Sequence, residues 1–87
     1  MHDGSQRRDR HEIVAEILET ARGGAIKTHI MYKAKLSYAQ LNDYLPLLLE
    51  KGFLENLTIL RNRQIKRILK TSEQGEQFLE NFRLLDL

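Results

Sequence analysis

Phe53-Leu54-Glu55-Asn56-Leu57-Thr58-Ile59-Leu60-Arg61-Asn62-Arg63-Gln64-Ile65-Lys66-Arg67-Ile68-Leu69-Lys70-Thr71 is the stretch on which the fold turns. Phe53 to Leu60 is rich in apolar and β-branched side chains, Arg61 to Gln64 is polar, and Ile65 to Thr71 alternates loosely. Two apolar runs around a short polar break predict a β-hairpin. The break holds neither Asn-Gly nor Asp-Gly, the pairs that tolerate the positive φ angles of a two-residue turn, so a loose tip is expected. The hairpin is also cationic: residues 56–72 contain Arg61, Arg63, Lys66, Arg67 and Lys70 and no acid.

Upstream, the spacing of apolar residues predicts three helices. Ile13, Val14, Ile17, Leu18 and Ala21 fall on one face of a helix expected from Arg7 to Arg22, with Glu12, Glu16 and Glu19 toward water. Gly23-Gly24 ends it, because glycine takes a left-handed cap conformation without a Cβ clash. A second helix is expected from Ala25 to Ala34, with Ile26, Ile30 and Met31 inward. Ser37 reads as the N-cap of a third, Tyr38 to Lys51, with Leu41, Tyr44, Leu45 and Leu48 as its core stripe and Gly52 at its end. Pro46 removes a backbone donor and predicts a bend, but the leucine period runs through it, so one helix is expected. Downstream of the hairpin, Ser72 caps a last helix whose acids Glu73, Glu76 and Glu80 suit the positive end of the macrodipole. Phe78, Phe82 and Leu85 are its expected inward stripe.

The order of elements, three helices and then a basic hairpin, is that of a winged helix-turn-helix, an α+β fold that is mainly helical. In it the second helix supports the third, whose N-terminal turns enter the major groove of DNA, while the hairpin or wing lies on the adjacent backbone or minor groove. Charge agrees with a polyanion as partner. Residues 22–35 hold Arg22, Lys27, Lys33 and Lys35 and no acid, and the segments flanking the two basic ones are net acidic. Ser37, Tyr38, Gln40, Asn42 and Asp43 are the candidate contacts from the recognition helix. Gln40 and Asn42 carry amides suited to a bidentate contact with adenine. Tyr38 suits stacking on sugar or donation to phosphate, and Asp43 must turn from the backbone or accept from cytosine. Arg61, Arg63, Lys66 and Arg67 of the wing, with Lys27, Lys33 and Lys35 of the supporting helix, are the candidate phosphate contacts.

Two stretches carry a resemblance: Lys27-Thr28-His29-Ile30-Met31-Tyr32-Lys33-Ala34-Lys35-Leu36-Ser37-Tyr38, and Tyr44-Leu45-Pro46-Leu47-Leu48-Leu49-Glu50-Lys51-Gly52-Phe53-Leu54. With Lys70-Thr71-Ser72-Glu73-Gln74-Gly75-Glu76-Gln77-Phe78-Leu79, they resemble the small archaeal winged-helix regulators over about Arg8 to Phe82. That resemblance implies DNA binding and a dimer made through the C-terminal helix. The chain departs from the family in a longer, more basic wing and in lacking a long coiled-coil extension of the last helix.

The 87 residues suffice for one domain, expected over residues 7–72 after a flexible segment 1–6, with 73–87 as a C-terminal helix. So short a chain buries a modest share of its surface, and self-association would add to its stability. Leu84 and Leu87 lie opposite the inward stripe of the last helix, with Leu79 near the boundary, and these three are the expected homodimer interface. A heterologous protein partner, as in winged helices that serve as interaction modules, is the alternative. No cysteine is present, which excludes a disulfide framework, a thiolate zinc site and a cysteine nucleophile, and suits a reducing compartment. No apolar run reaches the ~20 residues of a membrane span, and residues 1–8 lack the apolar core of a secretory signal. A soluble, cytoplasmic, nucleoid-associated protein with no membrane partner is expected. His29 has no cysteine nearby and no carboxylate four residues on, so a packing or phosphate-donating role is expected rather than metal binding. Paired carboxylates, a phosphate-cradling glycine loop and a Ser-His-Asp set are all missing, so no enzyme, cofactor or small-molecule effector is expected.

Overall fold

Asp9 decides where the first helix begins. Its carboxylate accepts from the backbone N–H of Glu12, and Glu12 reaches back to the Asp9 N–H, so the helix starts three residues later than its apolar spacing suggests. The computed structural model describes residues 8–85, and the expected flexible segment 1–6 and Leu87 lie outside them. The elements are α1 (Arg10–Thr20), α2 (Lys27–Lys33), α3 (Tyr38–Glu50), β1 (Leu54–Arg61), β2 (Gln64–Thr71) and α4 (Glu73–Leu85). This is an α+β winged helix. α1 packs against α2, α4 and β2, and Ile17, Leu18, Ile30, Leu41 and Leu48 are the large side chains wholly withdrawn from water.

α2 is shorter than its sequence suggests. Ala25 exchanges both backbone hydrogen bonds with Leu69, each 2.8 Å, and is thereby an isolated bridge on the hairpin rather than a first turn of helix. Only Ile30 of α2 is buried. At the other end Arg8 donates to the carbonyls of Ala34 (2.7 Å) and Lys35 (3.2 Å) while pairing with Glu16. It thus satisfies carbonyls that a helix end leaves without partners. Lys35 makes the turn into α3 at φ 56°, a left-handed conformation more costly for lysine than for glycine. α3 then runs from Tyr38 to Glu50 with Pro46 inside it, exposed to solvent.

β1 and β2 pair antiparallel from Leu54↔Thr71 to Arg61↔Gln64. The tip is tight, contrary to the loose turn expected. Asn62 (φ 52°) and Arg63 (φ 63°) alone make the connection, both left-handed as a two-residue hairpin turn of the I′ type requires. Asparagine accepts that region readily. The strain at Arg63 is offset by eight cross-strand residue pairs held in register.

The foot of the hairpin is fastened to the helices. Thr71 donates from its hydroxyl to the Leu18 carbonyl and from its N–H to the Ala21 carbonyl. The Ser72 hydroxyl donates to the Gly52 carbonyl and accepts from the Gly75 N–H, capping α4. A Cβ at Gly75 would stand 2.4 Å from the Phe53 carbonyl oxygen, so only glycine lets α4 sit this close. Beyond its foot the hairpin projects into solvent.

α4 is rotated from the orientation expected. Gly75 and Leu79 are its buried positions, with Phe78 and Phe82 packed beside them. Leu79 is 3% exposed and belongs to the domain's own core, so it is not accessible to a partner. Leu85, expected inward, is 84% exposed, because Phe82 is the last side chain of α4 that packs on the core.

Candidate nucleic-acid interface

The N-terminal turn of α3 is built by Ser37 and Gln40. The Ser37 hydroxyl accepts from the Gln40 N–H (3.1 Å), and the Gln40 Oε1 accepts from the Ser37 N–H (2.9 Å). The amide oxygen that a bidentate adenine contact would need is therefore engaged in the cap, and Gln40 can read a base only by opening it. Asn42 takes no part in the cap. It lies half-buried beside the Tyr38 hydroxyl.

Lys27 at the start of α2 joins the same group. Its ammonium donates to the Tyr38 hydroxyl (3.3 Å) and lies 4.5 Å from the ring centroid. Hydrogen bonding to Lys27, then to Asn42, holds the Tyr38 phenol below its usual range. The ring is exposed, so solvent screens this interaction and it contributes little to stability.

Lys27, Asn42 and Pro46 form one wall of an open concavity of about 420 Å³, whose hairpin side is made by Asn56, Arg67 and Leu69. The register explains which hairpin residues face it. Asn56, Thr58 and Leu60 of β1 share a face with Leu69, Arg67 and Ile65 of β2, whereas Arg61 and Lys66 point from the other face. Ile68, from that other face, reaches the concavity near the foot. The wing cations are thus not one surface: Arg67 faces α3, Lys66 and Arg61 face away, and Arg63 stands at the tip.

The remaining candidates lie apart. Lys33 and Lys35 are exposed at the far end of α2 and do not line the concavity. Asp43 and Gln40 line a separate depression of about 290 Å³ with Arg10, Tyr44 and Leu47. His29 is exposed. Arg22, which the charge count placed in the basic segment, is paired with Glu19 (3.2 Å) and Glu76 (3.0 Å). Burial pushes the Glu19 carboxyl up, but Arg22 and Arg83 outweigh it and hold that carboxyl below the usual range. Among the described residues no three His, Cys, Asp or Glu side chains could hold a metal ion, and no helix is long and apolar enough to cross a membrane.

Two features escaped the sequence. Arg8 is a structural clamp on the turn between α2 and α3, a role set by contacts 26 and 27 residues away. Leu60 and Ile65 are directly opposed near the hairpin tip, and strand alternation alone would have shown that they share a face with Arg67.

The comparisons with known proteins agree with this geometry. A winged helix-turn-helix family model matches residues 7–86. Among solved structures the chain is similar to Sso10a-2, a DNA-binding protein from Sulfolobus solfataricus, with a TM-score of 0.74 and 23% sequence identity over 90% of this chain and 78% of that one. No curated protein matches the sequence. With the family model spanning nearly the whole chain and the helices and wing in the expected order, the chain belongs to the winged helix-turn-helix family.

Proposed function

We propose that this protein binds double-stranded DNA, with α3 in the major groove and the wing on the adjacent backbone, and that it acts as a transcriptional regulator on the nucleoid rather than as an enzyme. The observation that carries this is the convergence of Lys27, Tyr38, Asn42 and Arg67 around the cleft between α3 and the wing. Hydrogen-bond donors there meet a phosphate chain, and an amide sits where base edges would pass. The family and the DNA-binding character of Sso10a-2 support the same function. A module that only binds protein would have no use for a wing whose residues 56–72 carry five cations and no acid.

Asn42, not Gln40, is then the residue for base readout. Asn42→Ala is expected to lose ~1–3 kcal/mol of discrimination at one base position while non-specific affinity stays nearly intact. Gln40→Ala is expected to cost stability through the lost cap, roughly 0.5–2 kcal/mol, more than specificity. Selection of bound duplexes from a random pool checks both. A wild type that retains no duplex contradicts the function, and an Asn42→Ala variant with the unchanged motif contradicts the readout.

The protein is proposed to act as a homodimer through the end of α4. Leu84 (60% exposed) and Leu85 (84% exposed) are successive residues there, left largely uncovered by the described residues. Burying each fully would contribute ~1.5–3 kcal/mol per chain, and a two-fold pairing would set two α3 helices at a fixed spacing. In sedimentation at micromolar concentration, the wild type is expected to be a dimer and Leu84→Glu/Leu85→Glu a monomer. A double variant that stays dimeric rules this surface out.

A further inference from the structure

Leu60 and Ile65 are cross-strand partners, the second pair behind the two-residue turn, and each is 74% exposed. Single exposed leucines are ordinary. Two opposed ones at the projecting end of a two-stranded ribbon are a liability, since a hairpin edge invites pairing with another chain. A solvated wing would carry threonine or a charge at these positions, as it does on the same face at Thr58 and Arg67 two pairs nearer the foot.

Their placement gives the pair a direction. They share a hairpin face with Arg67 and Asn56, which line the cleft against α3, so the apolar pair continues the same surface outward. Arg61, Arg63, Lys66 and Arg67 surround it in sequence and register, and no acid lies in residues 56–72. Two such tips repel each other, which disfavours a second copy as occupant. The complementary partner is a polyanion that also offers an apolar slot. The minor groove of duplex DNA is one: phosphates line both rims, and stacked base faces become accessible where a step opens.

Strand side chains stand roughly perpendicular to the ribbon, so Leu60 and Ile65 project from the same face as Arg67 and meet a groove from that face rather than from the turn. The turn of Asn62 and Arg63 keeps the tip narrow.

We propose that the wing tip is an apolar wedge in which the Leu60–Ile65 pair, guided by its flanking arginines, enters the minor groove and partly unstacks a base step, bending the duplex. This rests on the DNA-binding function proposed above and adds how the wing engages. Pyrimidine–purine steps unstack most easily, so TA steps are the favoured targets.

The test uses the full chain and an alternating A·T duplex carrying 2-aminopurine, whose fluorescence rises when its base unstacks. The wild type is expected to bind and raise the emission severalfold. Leu60→Thr/Ile65→Thr keeps strand-compatible residues at exposed positions and an unchanged melting curve. It is expected to bind roughly tenfold more weakly, the net of lost apolar burial and an unopened step, and to leave the emission unchanged. Wild-type binding without a rise overturns the wedge while leaving DNA binding standing, as does an equal rise with the double variant. No binding by the wild type removes the DNA-binding function and the wedge with it.

Discussion

Replacing Arg61, Arg63, Lys66 and Arg67 together by alanine is expected to weaken binding to every duplex alike and to flatten its dependence on salt. Each phosphate neutralised by a protein cation releases counterions and adds about −0.9 to the slope of log affinity against log salt. A dimer making ~6 phosphate contacts would therefore show a slope of roughly −5. The structure divides the effect. Arg67 shares the cleft with Lys27 and Asn42, whereas Arg61 and Lys66 lie on the opposite face of the hairpin. Arg67→Ala alone is then expected to carry the largest single share, and the quadruple variant to lose on the order of a hundredfold in affinity at low salt. The four side chains are exposed, so the fold is expected to persist. Fluorescence anisotropy across a salt series reads both quantities. Unchanged affinity and slope in the quadruple variant would remove the wing from the interface.

The second large effect is on stability, and it centres on Ile30. A seven-residue helix is far too short to hold itself together in water. α2 is anchored by Ile30, its one buried side chain and wholly inaccessible to solvent, with Met31 only partly packed. Ile30→Ala is expected to cost ~2–5 kcal/mol through lost burial and the cavity left behind. For a chain of this length the whole margin is on the order of 4–13 kcal/mol, so the variant is expected to sit close to its unfolding threshold. Ile26→Ala, at an exposed N-cap position of the same helix, is the control and is expected to change stability by about 0.5 kcal/mol or less. Urea unfolding measures both. A loss below ~1 kcal/mol for Ile30→Ala would mean that α2 is held by something other than this side chain.

Local chemistry was legible in the sequence, and long-range contacts were not. Ser37 announced the start of α3 because a capping hydroxyl acts within three residues. The leucine period of α3 survived Pro46 for the same reason: Leu41, Leu45 and Leu48 all bury. Ala25 was misplaced because its partner, Leu69, is 44 residues on and no local signal marks a bridge. The tip was expected to be loose because Asn62-Arg63 lacks glycine, yet register across the whole hairpin imposed a two-residue turn. Leu79 and Leu85 exchanged roles because periodicity fixes which residues share a stripe but not which stripe meets α1 or how far α4 overhangs it. In the site, residue types alone pointed to a nucleic-acid partner for α3 and the wing. The Ser37-x-x-Gln40 spacing already carried the reciprocal cap that engages Gln40; what sequence could not show was that Lys27 meets Tyr38 across the turn.

Binding of duplex DNA through α3 and the wing is tested most directly by titrating the wild-type protein with random-sequence duplex at 50 and 200 mM salt. Saturable binding at the lower salt, falling by about three orders of magnitude at the higher, is the predicted result. Absence of binding at 50 mM, or an affinity indifferent to salt, would contradict it.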